Sequence, residues 1–365
     1  MAIKTWVGTT ANWNVSTNWS PAAVPIATDD LVFNNSAASN VNSNYTFNSI
    51  DFTGYTGTLS GGNGMTIAGS STGTATGVAF RFSTGMTSTW TGSITFTSGV
   101  GGYITFSGKS VAGITFNNAT GVWVVQDVMN QAGNFVITAG NVTFLANATT
   151  SGTMTLTAGT LTALNCANIT FGGFNSNNSN TRTINMGCGT WTATGITPWV
   201  ISTITGLTFN AEQSRLVFNN TSTSTLILNS GGLSYYTFEI ARGSSTGLVT
   251  IAGNNTFVNF IDNTSTAAHG IQFNGITTNS FYRFIVKGSA GNAITITRGI
   301  SGAYSLIKLG RDVVSSSDYI IFGSSFTATP SNTWYIGPNS TSLSTGLILS
   351  NPPSVQSLLG AGGVG

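Results

Sequence analysis

The sequence predicts an all-β chain wound as a parallel β-helix (β-solenoid) with an N-terminal cap. Three observations predict it: an almost uncharged composition rich in Thr, Ser, Asn and Gly, short apolar-Thr-apolar strands along most of the chain, and a repeat at an offset of 19 residues (137 to 156).

Charged residues make up 5% of the 365, against roughly 25% in an ordinary soluble domain. Low charge alone would suit a disordered chain, but disordered chains lack β-branched and aromatic residues. Here hydrophobic residues are 40% and aromatics 11%, with Val, Ile, Thr and Phe throughout. Such residues suit a pleated, half-buried surface. No segment carries a 3.6-residue apolar period.

The repeat is clearest between Val136–Thr143 and Thr155–Thr162. Ile137 maps to Leu156, Gly140 to Gly159 and Val142 to Leu161. Each segment reads as a short alternating strand, a glycine turn and a second strand. Looser echoes are Ile94-Thr95-Phe96, Ile104-Thr105-Phe106, Ile114-Thr115-Phe116 and Ile169-Thr170-Phe171. Both apolar side chains of such a triplet face inward and the threonine faces out.

An offset near 20 residues fits one solenoid coil, stacked on the last at ~4.8 Å. About 15 coils fill most of the chain. A β-sandwich array is the alternative, and it requires Asn-Gly or Asp-Gly hairpin turns. Asn63-Gly64 and Asn274-Gly275 are the obvious cases, which favours the solenoid. Cys166 and Cys188, 22 positions apart, are expected as two buried, inward-facing thiols on adjacent coils. A disulfide is disfavoured for a chain that folds in a reducing cytoplasm.

Residues 1–40 carry Trp6, Trp13, Trp19 and the pair Asp29-Asp30, and are expected to cap the exposed end of the core. Residues 41–280 are assigned to the β-helix. Looser spacing over 281–350 suggests a C-terminal β subdomain, and 351–365 reads as a flexible tail. The start, Met-Ala-Ile-Lys-Thr-Trp, has no apolar h-region, so no secretory signal peptide is expected. No run of 18 apolar residues would span a membrane as a helix. A net charge of +2 without a basic stretch argues against nucleic-acid binding. Asn-x-Ser/Thr triplets such as Asn147-Ala148-Thr149 follow from composition.

The opening Trp6-Val7-Gly8, Asn12-Trp13, Asn18-Trp19-Ser20, Pro25, Asp29-Asp30 and Phe33 resembles the start of repetitive β-rich proteins of tailed bacteriophages and of autotransporter-like bacterial surface proteins. The Thr-Ala-Gly repeats, Asn177–Thr183, Gly189–Gly195 and Gly288–Ile296 are similar to the same group. The resemblance implies a β-helical virion or surface protein and transfers no catalytic residue. The missing signal peptide favours the phage branch.

Candidate chemistry is sparse. The single histidine, His269, is expected as a plain loop residue, although Asp262 lies seven positions away and serines abound. Two cysteines and one histidine are one ligand short of a closed zinc site. The nine acids are Asp29, Asp30, Asp51, Asp127, Glu212, Glu239, Asp262, Asp312 and Asp318. They leave little material for the paired carboxylates of a glycosidase. Asp29-Asp30 is expected as a solvated turn or cap rather than a Ca²⁺ ligand set. Trp90, Trp123, Trp191, Trp199 and Trp334 are expected in the core or in turns rather than as sugar platforms. No P-loop or dinucleotide fingerprint is present.

The sequence therefore predicts a virion structural protein (fibre, spike or capsid decoration) that folds in the host cytoplasm and has no catalytic residue, cofactor or metal. Expected partners are other virion proteins, two further copies in a homotrimer, and a host-surface glycan, with no nucleic acid and no membrane insertion. A bacterial surface adhesin and a polysaccharide-degrading tailspike are the alternatives.

Overall fold

A computed structural model describes residues 2–71, 76–300, 302, 304–309 and 317–352. The fold is a parallel β-solenoid of about 14 turns. The tail assigned to 351–365 lies outside the described residues from position 353 onward, as does Asp312. The chain divides into two compact units, one of residues 1–192 and 205–213, the other of 193–204 and 214–365.

In the first unit three parallel ladders climb the coil. One runs through Tyr45, Met65, Ile94, Ile114, Phe135 and Met154. A second runs through Ile50, Phe80, Ile104, Val125, Phe144 and Ala163. The third starts at Ser39–Val41, Thr58–Gly61 and Thr87–Ser88, and resumes at Ser110–Val111 to pass through Met129–Gln131 and Ala148–Thr150. The sequence echoes lie in register. Ile94-Thr95-Phe96 pairs residue for residue with Ile114-Thr115-Phe116, and Val142 pairs with Leu161. Their apolar members are buried and the threonines between them half-buried, as alternation requires.

Corners set the coil length. Gly140 and Gly159 hold φ of +107° and +92°, a left-handed backbone that glycine adopts without strain. They stack so closely that a Cβ on Gly159 would collide with the Gly140 carbonyl oxygen. Asparagines join coil to coil at other corners. Asn147 Oδ1 accepts from the Asn168 backbone N–H at 2.8 Å, and Asn168 Oδ1 accepts from Thr190 N–H at 2.8 Å. Asn44 and Asn134 do the same for Gly64 and Thr153. The Asn content thus satisfies backbone donors that a corner takes out of the ladder.

Trp6, Trp13 and Trp19 are buried together near Phe33, with Trp6 and Trp19 edge to face at 5.0 Å. Trp13 also meets Phe47 at 6.2 Å. Apolar surface at the start of the coil is covered by these rings.

The second unit repeats the stacking with coils wider than those between 94 and 163. Leu216 and Phe238 pair at an offset of 22, and Phe257 and Phe281 at 24. Like lies over like: Tyr235, Phe257 and Phe281 stack at 5.6 and 5.5 Å, and Phe260 and Phe284 at 5.4 Å. Trp199, Ile201, Leu228 and Ile251 continue the buried rows.

Candidate functional site

His269 is not in a loop. It opens the strand His269–Asn274 and is buried, as is Asp262 at the end of Thr256–Asp262. Its Nε2 lies 2.6 Å from Asp262 Oδ2, and both side chains have no exposed surface. Nδ1 sits 3.2 Å from the Ala267 carbonyl oxygen. Ser265 donates to the other carboxylate oxygen at 2.8 Å, not to the imidazole. Burial opposes a charge on His269, but the bond and charge of Asp262 outweigh it and raise the pKa above the ordinary value. An imidazole enclosed this way, with its described hydrogen bonds going to a carboxylate and a carbonyl, holds two strands together.

Arg242 lies beside this pair and is fully buried. Its guanidinium donates to the carbonyl oxygens of Asn220, Gly247, Leu248, Ser222 and Ser224 at 2.6–3.2 Å. Arg182 plays the same part in the first unit, bonding the carbonyls of Ser176, Asn180 and Thr205. Both guanidinium pKa values are lowered by burial. Sequence reading passed over both arginines. A signal was present: Arg182 shares the inward phase of Ile184 and Met186, and Arg242 that of Phe238 and Ile240.

The acids serve the same purpose. Asp29 and Asp30 are buried, so the expected solvated turn is corrected. Asp29 accepts from Ile26 N–H, while Asp30 accepts from Asn48 Nδ2 and Ser49 Oγ, each at 2.6 Å. The local Ile26 N–H thus occupies Asp29 Oδ2, and residues of the next coil occupy Asp30 Oδ1. Asp51 pairs with Arg81, its register partner, at 2.5 and 2.8 Å. Glu239 accepts from Arg215 Nε at 2.6 Å. Asp127 accepts from the backbone N–H groups of Phe106 and Ser107, and Asp318 from Asn339. Glu212 is exposed. Among the described residues no group of three or more His, Cys, Asp or Glu side chains gathers to hold a metal.

Cys166 and Cys188 also differ from expectation. They do lie on adjacent coils, with Cα atoms 4.5 Å apart, but they form a disulfide. Both residues are exposed at a corner rather than turned inward. Cys166 has φ of +53° and follows Asn165 at +55°, and this reversal takes its side chain out of the strand alternation on which the inward assignment rested. Trp90, Trp123, Trp191, Trp199 and Trp334 are all buried, in line with core packing.

One open cleft interrupts the first unit where the third ladder breaks between Thr87–Ser88 and Ser110–Val111. Its cavity is about 540 Å³, and Ser88, Thr89, Trp90, Thr91, Lys109 and Ser110 line it. Trp90 Nε1 donates to the Asn63 carbonyl at 2.9 Å. Ser88 Oγ is enclosed without a hydrogen-bond partner among the described residues.

Comparison with known protein families, with curated proteins and with solved structures found no match.

Proposed function

We propose that this chain is a non-catalytic structural and adhesive β-solenoid of a tailed-phage virion, placed as a fibre, a spike or a capsid decoration. One observation carries the non-catalytic part. Among the described residues every carboxylate except Glu212 accepts a hydrogen bond, most often from the next coil or strand, and the lone imidazole is sealed against Asp262. Catalysis needs a group free to meet substrate, whereas a scaffold needs its few charges paired. The exposed Cys166–Cys188 bond suits a protein that ends in an oxidising medium. That holds for a virion and for a bacterial surface adhesin alike. The reading takes other virion proteins as partners, two further copies as a homotrimer, and a host-surface glycan as the attached ligand.

Purified particles from the producing culture test it. The chain is expected in the DNA-containing fraction at fixed stoichiometry and on the particle surface by immunogold labelling. Recovery in the host envelope fraction instead overturns the virion assignment. Reducing ends released from host polysaccharide by the pure chain overturn the non-catalytic one.

A further inference from the structure

We propose that the cleft at the break in the third ladder binds an acidic oligosaccharide, seating one sugar carboxylate on the Lys109 ammonium and the sugar hydroxyls on Thr89, Thr91, Ser110 and the open backbone edge of Ser88.

The backbone comes first. Thr87, Thr89 and Thr91 donate their N–H groups to Gly57, Leu59 and Gly61 of the preceding coil at 2.8–3.0 Å. The polar backbone groups of Ser88 and Trp90 alternate with these and face the following coil. Among the described residues no ladder bond meets them, because the chain turns away at Ser107 and Gly108, with φ of +50° and +73°. The ladder resumes where Ala112 N–H donates to Gly92 O at 3.2 Å. The break is therefore a wedge, closed at one end and open at the other. Backbone groups at such a break need partners.

The lining states what the partner is. Hydroxyls both donate and accept, as sugar hydroxyls do, and four hydroxyl-bearing residues border the cavity. Thr89, Thr91 and Ser110 are exposed at this border, whereas Ser88 Oγ is enclosed and Ser88 contributes its open backbone edge. The Trp90 ring is buried in the core with its indole N–H engaged by Asn63, so the apolar border of the cleft falls to Ala112 and Ala132. Lys109 sets the charge. Its Nζ donates to the Thr84 carbonyl oxygen at 3.3 Å, and among the described residues no carboxylate pairs with it. In a chain with 5% charged residues, an unpaired cation in a cleft is a specific feature. One ammonium matches one carboxylate; a nucleic-acid strand would need several cations along its phosphates. The volume of about 540 Å³ suits a short oligosaccharide and lies within the range of roughly 300–1,000 Å³ for ligand sites.

This inference rests on the adhesive half of the reading above, and its test does not depend on particle incorporation. The full chain is titrated calorimetrically with tetrasaccharides of galacturonan, alginate and hyaluronan, and with the methyl ester of the galacturonan, an uncharged copy of the same backbone. At least one acidic tetrasaccharide is expected to bind. Loss of the charged hydrogen bond, in the ester or in Lys109→Gln, is expected to weaken binding about tenfold. Arg283→Gln removes an exposed cation of the second unit and is expected to leave binding unchanged. Lys109 is a surface side chain at a turn, and an unchanged melting temperature checks that its variant folds. No binding of any acidic tetrasaccharide overturns the proposal. So does equal affinity for the ester, or equal loss in both variants. Virion incorporation unchanged by Lys109→Gln leaves the virion assignment standing whichever way the titration falls.

Discussion

The coils between 94 and 163 and those between 216 and 298 solve the same problem by different means. In the first stretch successive partners lie 19 to 21 positions apart, as in Ile94–Ile114, Ile114–Phe135 and Phe135–Met154. Their corners are glycine stacks and Asn side chains. In the second stretch the offsets grow to 22, 24 and 25, as in Leu216–Phe238, Phe257–Phe281 and Ile271–Ile296. Longer corners bring more carbonyls together than a ladder can serve. Buried carbonyls without donors are costly, and Arg242 supplies the donors. The first unit adopts the same remedy where its own coils lengthen: Leu161–Ile184 and Ile184–Phe209 span 23 and 25, and Arg182 sits there. Both buried guanidinium groups sit where offsets reach 22 or more, although the wider Met65–Ile94 and Ile50–Phe80 coils have no buried arginine among the described residues.

The comparison can be broken most severely at Arg242. Arg242→Ala removes a fully buried guanidinium that serves five carbonyls and should cost about 3–5 kcal/mol in denaturant unfolding. Arg242→Lys should not rescue it, since an ammonium lacks the planar fork. A loss under about 1 kcal/mol would show that the wide corners do not need their arginine. Next, reducing the disulfide, or Cys188→Ser, should cost about 3 kcal/mol by releasing a closure of 22 residues. Melting with and without reductant measures it.

Gly159→Ala should destabilise the tight stretch by about 2–3 kcal/mol, through its left-handed φ and the clash with Gly140. Gly108→Ala, equally left-handed at +73° but in open space, should cost only about 1 kcal/mol. Equal losses would remove stacking from the account.

In the wide stretch, His269 carries a pH test. Its folded pKa lies above the ordinary value of 6.5. Its contribution is therefore complete below pH 6.5 and is lost as pH rises through the raised pKa. Melting temperature should fall across that window, and Asp262→Asn should flatten the dependence. The chain has 1 histidine, so its ring resonance reports the titration directly. The smallest effect belongs to Asp51–Arg81, whose arginine is partly exposed. Asp51→Asn should cost about 0.5–1 kcal/mol, less at high salt. Burial works against the Asp51 charge, but the bonds to Arg81 and Thr53 prevail and lower its pKa. That contribution is present at neutral pH and is lost as acid protonates the carboxylate.

The strands and their register were legible because apolar-Thr-apolar alternation is a local signal and the 19-position echo is a direct image of pairing: Ile137 does face Leu156. Asp262 and His269 were misread because sequence distance hides a contact made between two strands. Their phase held the information. His269 alternates with Ile271 and Phe273, and Asp262 with Phe260, all buried. Extending the inward phase to charged residues would have found both, and the arginines too. Cys166 was not recoverable in this way, because a corner reverses the side chain and alternation carries no phase through a left-handed turn. The cleft was illegible for a related reason: a ladder that fails to close leaves no mark in the strands on either side.

The stacked Gly140–Gly159 corner carries a consequence for heredity. A segment that begins and ends at equivalent points of such a corner contacts only copies of its own contacts. An in-frame duplication of those 19 codons would insert one more coil, with ladder partners already in place above and below. Deleting them would let Trp123 meet Leu161 where it now meets Val142. Length can thus change by whole coils in single genetic steps, without a new corner or a new core having to be found.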